Sequence, residues 1–135
     1  MSQQQPKSNQ WQLGREGEDQ VLKHYLSEGY ELITRNFQFY KQGTQGRQGE
    51  IDLILKKDSK LHLVEVKTRS NYQYGSIVGQ INITKLKILY RTYQYFIKQN
   101  PIFRDYFCQM DVGEVMNNQV KIWPNCYSFD FIGRR

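Results

Sequence analysis

Apolar and polar residues alternate along the chain with two different periods, and these periods predict where helices and strands lie. Apolar positions recur at helical spacing over Leu13 to Glu28, and Gly29 is suited to ending that helix. Tyr30 to Tyr40 is rich in aromatic and β-branched residues, which predicts one or two extended segments. The glycine-rich stretch from Gly43 to Gly49 then indicates a loop.

Two alternating runs follow, Glu50 to Lys56 and Leu61 to Thr68, and the polar link between them predicts a hairpin. Helical spacing returns from Thr84 to Gln99. Asn82 or Thr84 is available as the N-cap of this second helix, and Asn100-Pro101 is suited to stopping it.

The last third of the chain predicts further strands. Met110 to Met116 and Gln119 to Trp123 flank Asn117-Asn118, a pair that tolerates the positive φ angles of a tight turn. We therefore expect a second hairpin, with a last strand over Tyr127 to Ile132. The order of helix, strands, helix and strands predicts a mixed central sheet flanked by helices, an α/β fold in the α+β range.

The composition fits one folded domain with a polar tail. The chain has 135 residues, 39% of them hydrophobic and 14% aromatic, which suits a single core and excludes a disordered protein. Residues 1–12 contain five glutamines and no periodic apolar pattern. We therefore expect a flexible polar tail at 1–12 and a single domain at 13–135.

Charge and cysteine content narrow the partners. Nineteen Lys and Arg against 13 Asp and Glu give a net charge of +6, which favours acidic partners such as nucleic acid. No apolar run is long enough to span a membrane, and the polar N-terminus lacks a signal-peptide core, so we expect a cytoplasmic protein with no membrane partner. Cys108 and Cys126 lack metal-ligand spacing, which argues against a structural zinc site.

The register of the first predicted hairpin brings four charged residues to one side. A short turn at Asp58-Ser59 pairs residues whose numbers sum to 117, so that Asp52 faces Glu65 and Glu50 faces Lys67. Like charges directly opposite each other, with β-carbons about 5 Å apart, destabilise a strand pair. A bound cation between Asp52 and Glu65 would resolve this conflict.

The opposite side of the hairpin is expected to be core, formed by Ile51, Leu53, Leu55, Val64 and Val66. Ile54 faces Leu63 next to the carboxylates, so we expect protein to cover the charged side as well. Glu18 precedes Val21 and Leu22 by three and four positions, which aligns it with the apolar stripe of the first helix. We therefore expect Glu18 to point into the same acidic cluster.

Three carboxylates and a lysine are suited to phosphodiester chemistry. Carboxylate oxygens bind hard divalent cations, and Mg²⁺ or Mn²⁺ is the best match. Such a cation polarises a phosphodiester, while a lysine positions water or offsets charge in the transition state. The competing interpretation is that Glu50 and Lys67 form an exposed cross-strand ion pair and that the other charges are solvated.

The spacing of Glu18, Asp52 and Glu65-Val66-Lys67 resembles the PD-(D/E)xK nuclease superfamily, which has the restriction-endonuclease-like fold. A longer set of residues resembles the YraN-like family of uncharacterised, endonuclease-like bacterial proteins. That set spans roughly Leu13 to Ile132 and consists of Gly14-Arg15-Glu16-Gly17-Glu18, Arg35-Asn36, Gly49 to Ile54, Val64 to Arg69, Tyr74-Gly75, Lys85 and Asp111-Val112.

The resemblance implies a mixed sheet flanked by helices and a metal-dependent site. The three carboxylates implied as metal ligands and the lysine implied as catalytic are Glu18, Asp52, Glu65 and Lys67. This chain departs from the family's pattern at two places. An arginine is expected two positions before Asp111, where this chain has Gln109, and the loop from Lys41 to Gly49 is long.

Other basic and aromatic residues are candidates for binding nucleic acid. Candidate phosphate contacts are Arg69, Lys85, Lys87 and Arg91, of which Arg69 and Lys85 belong to the family-like pattern. Tyr72 and Tyr74 are candidates for stacking on exposed bases. The alternative is a solvated basic helix face with two loop tyrosines packed on the domain.

Together, the motifs predict a Mg²⁺- or Mn²⁺-dependent endonuclease that hydrolyses phosphodiester bonds in DNA, with branched or structured DNA favoured by analogy with resolvases. Two alternatives remain open. One is a non-catalytic nucleic-acid-binding or assembly module on a nuclease fold, in which the carboxylates are relics. The other is a protein-interaction domain that forms a homodimer through its aromatic second helix.

Overall fold

Five strands and two helices make up the part of the chain that the structure, a computed structural model, describes: residues 10–43, 46–69 and 82–129. In chain order they are α1 (Gln10–Ser27), β1 (Glu31–Phe39), β2 (Gly49–Lys57), β3 (Lys60–Arg69), α2 (Ile83–Gln99), β4 (Phe107–Met116) and β5 (Gln119–Tyr127). A short 3-10 turn, Pro101–Phe103, follows α2. This element order agrees with the predicted one.

The strands form one mixed sheet in the order β1-β2-β3-β4-β5. Neighbouring strands are antiparallel except β3 and β4, which run parallel. A parallel pair needs a crossover connection, and α2 lies in this one. The predicted fold class is confirmed: the chain has an α+β fold that is compatible with a restriction-endonuclease-like arrangement.

Both helices end near the residues that the sequence indicated. α1 begins at Gln10, three residues before the predicted Leu13, and Gly29 follows it with a φ of +88°. Asn82 caps α2, its side-chain oxygen accepting a hydrogen bond from the Lys85 N–H at 2.9 Å. Residues 1–9 of the predicted tail lie outside the described residues.

The two helices cover opposite faces of the sheet, and a core lies beneath each. The core between α1 and the sheet consists of Val21, Tyr25, Leu53, Leu55, Val64 and Val115. The core between α2 and the sheet consists of Ile51, Ile54, Leu61, Leu63, Leu86, Leu89, Phe96 and Met110. Removing this apolar surface from water holds the sheet between its two helices.

The hairpin of β2 and β3 follows the predicted register over five residue pairs, from Leu53 opposite Val64 to Lys57 opposite Lys60. Ile54 faces Leu63, as predicted. The pairing ends at Leu53, however, one residue before Asp52 would meet Glu65. The direct Asp52–Glu65 and Glu50–Lys67 pairs expected from the arithmetic are therefore absent from this ladder.

Ile51 lies under α2, and not beside Leu53 and Leu55 as the alternation predicted. In the neighbouring strand Phe37 pairs with Ile51 and Arg35 pairs with Leu53, with Asn36 between them at a φ of +54°. This left-handed residue interrupts the regular alternation of side chains in β1, beside Ile51 and Leu53 of β2. Ile51 and Leu53 therefore point to opposite faces of the sheet, and the prediction for Ile51 was wrong.

The second hairpin also forms where predicted. Asn117 and Asn118 make its turn with φ values of +50° and +62°. Tyr127 was expected to begin a last strand, but it ends β5. Residues 130–135 lie outside the described residues.

A close approach between the backbone of β2 and side chains of α2 fixes the distance between this helix and the sheet. A β-carbon built on Gly49, at the start of β2, would lie 2.1 Å from the Thr92 hydroxyl and 3.0 Å from a methyl of Ile88. A larger residue there would require the Thr92 side chain or α2 itself to shift. No helix in residues 10–43, 46–69 or 82–129 has both the length and the apolar character needed to cross a bilayer.

Candidate active site

A cleft of about 1170 Å³ opens at one end of the sheet, between the middle of α1 and the start of α2. It is lined by the middle of α1, from Gly14 to Gln20, by the first two turns of α2, by the beginning of β2, by the end of β3 and by the turn between β4 and β5. β2 and β3 are no longer paired at this level, because their ladder ends at Leu53 and Val64. The parting of these two strands opens the floor of the cleft to side chains from both.

Three carboxylates meet in this cleft. One ligand oxygen each from Glu18, Glu50 and Asp52 lies within 4.8 Å of the other two, and all three side chains are partly buried. Glu18 comes from α1, whereas Glu50 and Asp52 come from β2. The predicted approach of Glu18 to the hairpin carboxylates is thus present in the structure.

Glu65 lies beside this group and is held by a lysine. Its side chain is buried, and its Oε2 is 3.2 Å from the Lys85 Nζ at the start of α2. Burial raises the pKa of Glu65, although the positive charges of Lys85 and Lys67 oppose this. Among the described residues, the carboxylates whose oxygens come within 4.8 Å of one another are Glu18, Glu50 and Asp52. Glu65 is outside that group.

Asp52 is anchored by the backbone of the neighbouring strand. Its Oδ2 accepts a hydrogen bond from the Val66 N–H at 2.8 Å. Burial, the nearby charge of Glu65 and the weaker effects of Glu18 and Glu50 raise the pKa of Asp52 to about 7, against the lowering effect of this hydrogen bond. Such a carboxylate is readily stabilised by an added positive charge.

Lys67 lies half-buried on β3, two residues beyond Glu65. Burial and the adjacent Lys85 ammonium lower the pKa of Lys67, and the charges of Glu65 and Asp52 only partly offset them. Its backbone pairs with Glu114 of β4. The structure therefore brings this predicted catalytic lysine close to the carboxylates, beside a second lysine.

Arginines neutralise two of the clustered carboxylates. The Arg35 Nε is 3.4 Å from Glu18 Oε1, and the same guanidinium lies 2.6 Å from Asp19. Arg47, on the loop before β2, forms an ion pair with Glu50. Within the described ranges no ion pair to Asp52 is formed.

The residues predicted to contact nucleic acid differ in their position and exposure. Arg69 and Lys85 both line the cleft. Arg69 is only 10% exposed and lies 3.4 Å from the buried Glu114, whereas Lys85 is 40% exposed and bound to Glu65. Tyr72 and Tyr74 lie outside the described residues.

Sequence reasoning underrated Glu50, Arg35 and Arg47. Glu50 was placed on the charged side of the hairpin, but as a partner of Lys67 and not as a ligand. Its position two residues before Asp52 in β2 was the available signal. The pairing of Arg35 with Glu18 joins β1 to α1, and no local pattern reveals a contact of that kind.

A second buried carboxylate, Asp111, lies outside the cleft lining and is fully engaged in hydrogen bonds. It accepts them from the Tyr25 hydroxyl (2.7 Å), Gln109 Nε2 (2.8 Å) and the Asn125 N–H (2.9 Å), and His62 Nδ1 lies 2.9 Å away. Burial alone would raise the pKa of Asp111, but these hydrogen bonds outweigh it and lower the pKa. Gln109, at the position where the family resemblance predicts an arginine, thus still supplies a donor to Asp111.

The chain is similar to known proteins over most of its length. Residues 17–132 match the model of the uncharacterised protein family UPF0102. A UPF0102 protein of Acinetobacter baumannii (strain AYE) is 33% identical over 101 residues, which cover 75% of this chain and 71% of the relative. A UPF0102 protein of Clostridium novyi (strain NT) is 32% identical over 120 residues, covering 89% and 91% of the two chains. One of Shewanella sediminis (strain HAW-EB3) is 32% identical over 114 residues, covering 84% and 90%.

The motifs that carried the resemblance to the YraN-like family fall almost entirely within the matched range. Glu18, Asp52, Glu65 and Lys67 are all included in it. The family predicted from those motifs is confirmed, and the chain belongs to UPF0102.

Proposed function

We propose that the protein is a metal-dependent nuclease that hydrolyses phosphodiester bonds in DNA. The observation that carries this proposal is the meeting of Glu18, Glu50 and Asp52 within 4.8 Å of one another in an open cleft, with Lys67 beside them. Clustered carboxylates are costly to desolvate unless a cation compensates their charge. A cleft carboxylate with a raised pKa, such as Asp52, is typical of functional sites.

The donor set fits Mg²⁺ or Mn²⁺. All the donors are carboxylate oxygens, which hard divalent cations prefer, and no thiolate or imidazole belongs to the group. Glu18, Glu50 and Asp52 would hold the ion, and Glu65 would join them once its bond to Lys85 is released. When bound, the ion supplies Lewis acidity and offsets negative charge at the phosphate.

Lys67 and Lys85 provide the other half of the chemistry. A lysine whose pKa is lowered, as it is for Lys67, exchanges its proton more readily near neutral pH and is suited to orient the attacking water. Lys85 holds Glu65 and contributes positive charge next to the phosphate position. Asp52 stays fixed through its bond to Val66 N–H, so the site is preorganised.

DNA is the proposed substrate because the chain carries a net charge of +6 and the cleft is open to solvent. Branched or structured DNA is the form we favour, since the superfamily that the motifs resemble includes junction resolvases. A cytoplasmic location and a homodimer that supplies two cleavage sites belong to the same proposal.

One observation favours a second candidate, a non-catalytic nucleic-acid-binding or assembly module. Glu18, Glu50 and Glu65 each already have a cation partner, in Arg35, Arg47 and Lys85. A site balanced in this way is stable without metal. In that case DNA binding would be salt-sensitive, would need no divalent ion and would survive the loss of Asp52.

Calorimetry and cleavage on the same samples test the proposal. Mg²⁺ and Mn²⁺ are titrated into the wild type, Asp52→Ala and Lys67→Met, with Asp105→Ala as a control that removes an exposed acid outside the cleft. The samples are then incubated with single-stranded, duplex, flap and four-way-junction DNA. We expect the wild type and Asp105→Ala to bind metal and to cleave at least one substrate.

The two site variants separate metal binding from catalysis. Asp52→Ala is expected to lose both metal binding and cleavage, whereas Lys67→Met should bind metal and lose cleavage by about 100-fold or more. Wild-type cleavage rates in purified Asp52→Ala would disprove the assignment. DNA binding without metal binding in the wild type would favour the non-catalytic module.

A further inference from the structure

The helix α2 has an unusual charge composition. Its residues, Ile83–Gln99, include four cations and no aspartate or glutamate. Lys85 is engaged with Glu65 in the cleft. The other three cations are Lys87, Arg91 and Lys98, and all three side chains are exposed.

These three residues lie on one line along the helix. They are separated by four and seven positions, and at 3.6 residues per turn they fall within an arc of about 40°. The buried side of α2, formed by Leu86, Leu89, Thr92 and Phe96, faces the sheet. At 1.5 Å per residue the basic line is about 16 Å long.

The basic line is not balanced within the described part of the chain. Each of Arg35, Arg47, Lys56, Arg69 and Lys85 has a carboxylate within 4.0 Å, but residues 10–43, 46–69 and 82–129 supply none to Lys87, Arg91 or Lys98. Lys87 and Arg91 are like charges at i and i+4, which weakens a helix. The charge pattern of α2 therefore costs the helix stability and favours an external anion.

We infer that the exposed face of α2 binds the sugar–phosphate backbone of a polynucleotide. A strand advances about 3.4 Å per nucleotide, so a line of about 16 Å matches roughly five nucleotides. Contacts from lysine and arginine to phosphates carry no base information, which makes this surface independent of sequence. α2 starts at the cleft, where Asn82, Thr84 and Lys85 line it, so one strand can occupy both places.

This inference extends the proposed function. Binding of a polynucleotide to α2 does not require nuclease activity, but cleavage of the bound strand does. The inference adds that the substrate must extend beyond the scissile phosphate, onto α2. A small phosphodiester would fit the cleft but would not reach Lys87, Arg91 or Lys98.

Salt-dependent binding tests the surface directly. Fluorescence anisotropy is measured with a labelled 20-nucleotide strand and its duplex, without divalent ions, for the wild type and the triple variant Lys87→Gln, Arg91→Gln, Lys98→Gln. The matched control, Lys23→Gln, Lys60→Gln, Arg104→Gln, removes the same charge from exposed positions on other elements. Circular dichroism confirms that α2 is retained in both variants.

The α2 variant should lose at least tenfold in affinity near 0.1 M salt, and its slope of log K against log salt should fall by about 0.9 per lost duplex contact. The control variant should keep most of the wild-type affinity and slope. Equal losses in the two variants would overturn the inference. So would binding of the wild type to phosphatidylglycerol vesicles without binding to the polynucleotide.

A second assay separates this inference from the proposed function. Hydrolysis of bis(4-nitrophenyl) phosphate with Mn²⁺ should be unchanged in the α2 variant and lost in Asp52→Ala, while the KM for DNA rises in the α2 variant. If no protein hydrolyses either substrate but binding still depends on α2, the inference holds and the nuclease proposal fails. Cleavage of DNA by the α2 variant with unchanged KM overturns the inference and leaves the nuclease proposal intact.

Discussion

The Asp52 carboxylate accepts a hydrogen bond from the backbone N–H of Val66 at 2.8 Å, immediately beyond the last paired residues of β2 and β3. The side chain of Asp52 thus replaces a backbone acceptor at the point where the two strands separate. Satisfying the Val66 N–H in this way avoids a buried unpaired donor. The interaction that satisfies this donor where the strands separate therefore also fixes a carboxylate within the cleft.

The raised pKa of Asp52 gives a stability prediction that needs no substrate. Because the folded-state pKa, about 7, exceeds the ordinary value of 3.8, the free energy of unfolding should fall as pH rises through this interval. Asp52→Asn keeps an acceptor for Val66 N–H and removes the charge. We expect it to stabilise the metal-free protein, and by about 2.5 kcal/mol more at pH 8 than at pH 5.

Urea denaturation at the two pH values measures this effect. Asp105→Asn, at an exposed position, controls for the removal of any one acid. Excess Mn²⁺ at pH 8 should stabilise the wild type and leave Asp52→Asn unchanged. A difference between Asp52→Asn and wild type that is the same at pH 5 and pH 8 would contradict the assigned origin of the shift.

Arg47 forms an ion pair with Glu50 and would compete for it with a divalent cation in the proposed site. Its side chain is 51% exposed, so the ion pair contributes only about 0.2–1 kcal/mol. Arg47→Gln should therefore bind Mn²⁺ up to about fivefold more tightly than wild type in calorimetry. Arg104→Gln, at an exposed arginine that does not line the cleft, should bind as wild type does. Weaker metal binding by Arg47→Gln would show that the arginine supports the site.

Local sequence rules predicted most of the fold. The five-pair register of the β2–β3 hairpin follows from the length of its polar link, and the β4–β5 turn follows from two adjacent asparagines. Asn82 caps α2 because its side chain reaches the free N–H groups of the first turn. Each of these features is decided within a few residues of chain.

The departures arise from interactions between distant segments. Asn36 adopts a positive φ in β1, and the adjoining residue Ile51 of β2 lies under α2, whereas alternation alone places it under α1. The pairing of Arg35 with Glu18 and the bond from Lys85 to Glu65 join elements that are separate in sequence. Composition and spacing indicated which carboxylates share a cleft, but not which cation holds each one.

Gly49 controls the distance between α2 and the cleft. A methyl group at this position would meet the buried Thr92 hydroxyl at 2.1 Å, so Gly49→Ala should destabilise the protein by about 1–3 kcal/mol. Thr92→Ala removes the obstructing atom, and the double variant should recover part of that loss in a double-mutant cycle. Gly14→Ala, within α1 and with nothing inside 4 Å of the new carbon, should stabilise the protein by about 0.5–1 kcal/mol. Additive effects of Gly49→Ala and Thr92→Ala would refute the contact.

Asp111 should matter for stability and not for the cleft. Asp111→Asn replaces one carboxylate oxygen by an NH2 donor, so that either Tyr25 and His62 or Gln109 and the Asn125 N–H lose the oxygen they contact. A cost of about 2–4 kcal/mol is expected in urea denaturation. Tyr25→Phe removes a single donor and should cost about 1 kcal/mol.

Folding lowers the pKa of Asp111, so its contribution to stability is present above pH 4 and is lost as pH falls further. The difference in the free energy of unfolding between wild type and Asp111→Asn should therefore narrow in acid. Mn²⁺ affinity should stay at the wild-type value in Asp111→Asn at 15 °C, where the variant remains folded, and a loss of metal binding there would mean that Asp111 also supports the carboxylate cluster.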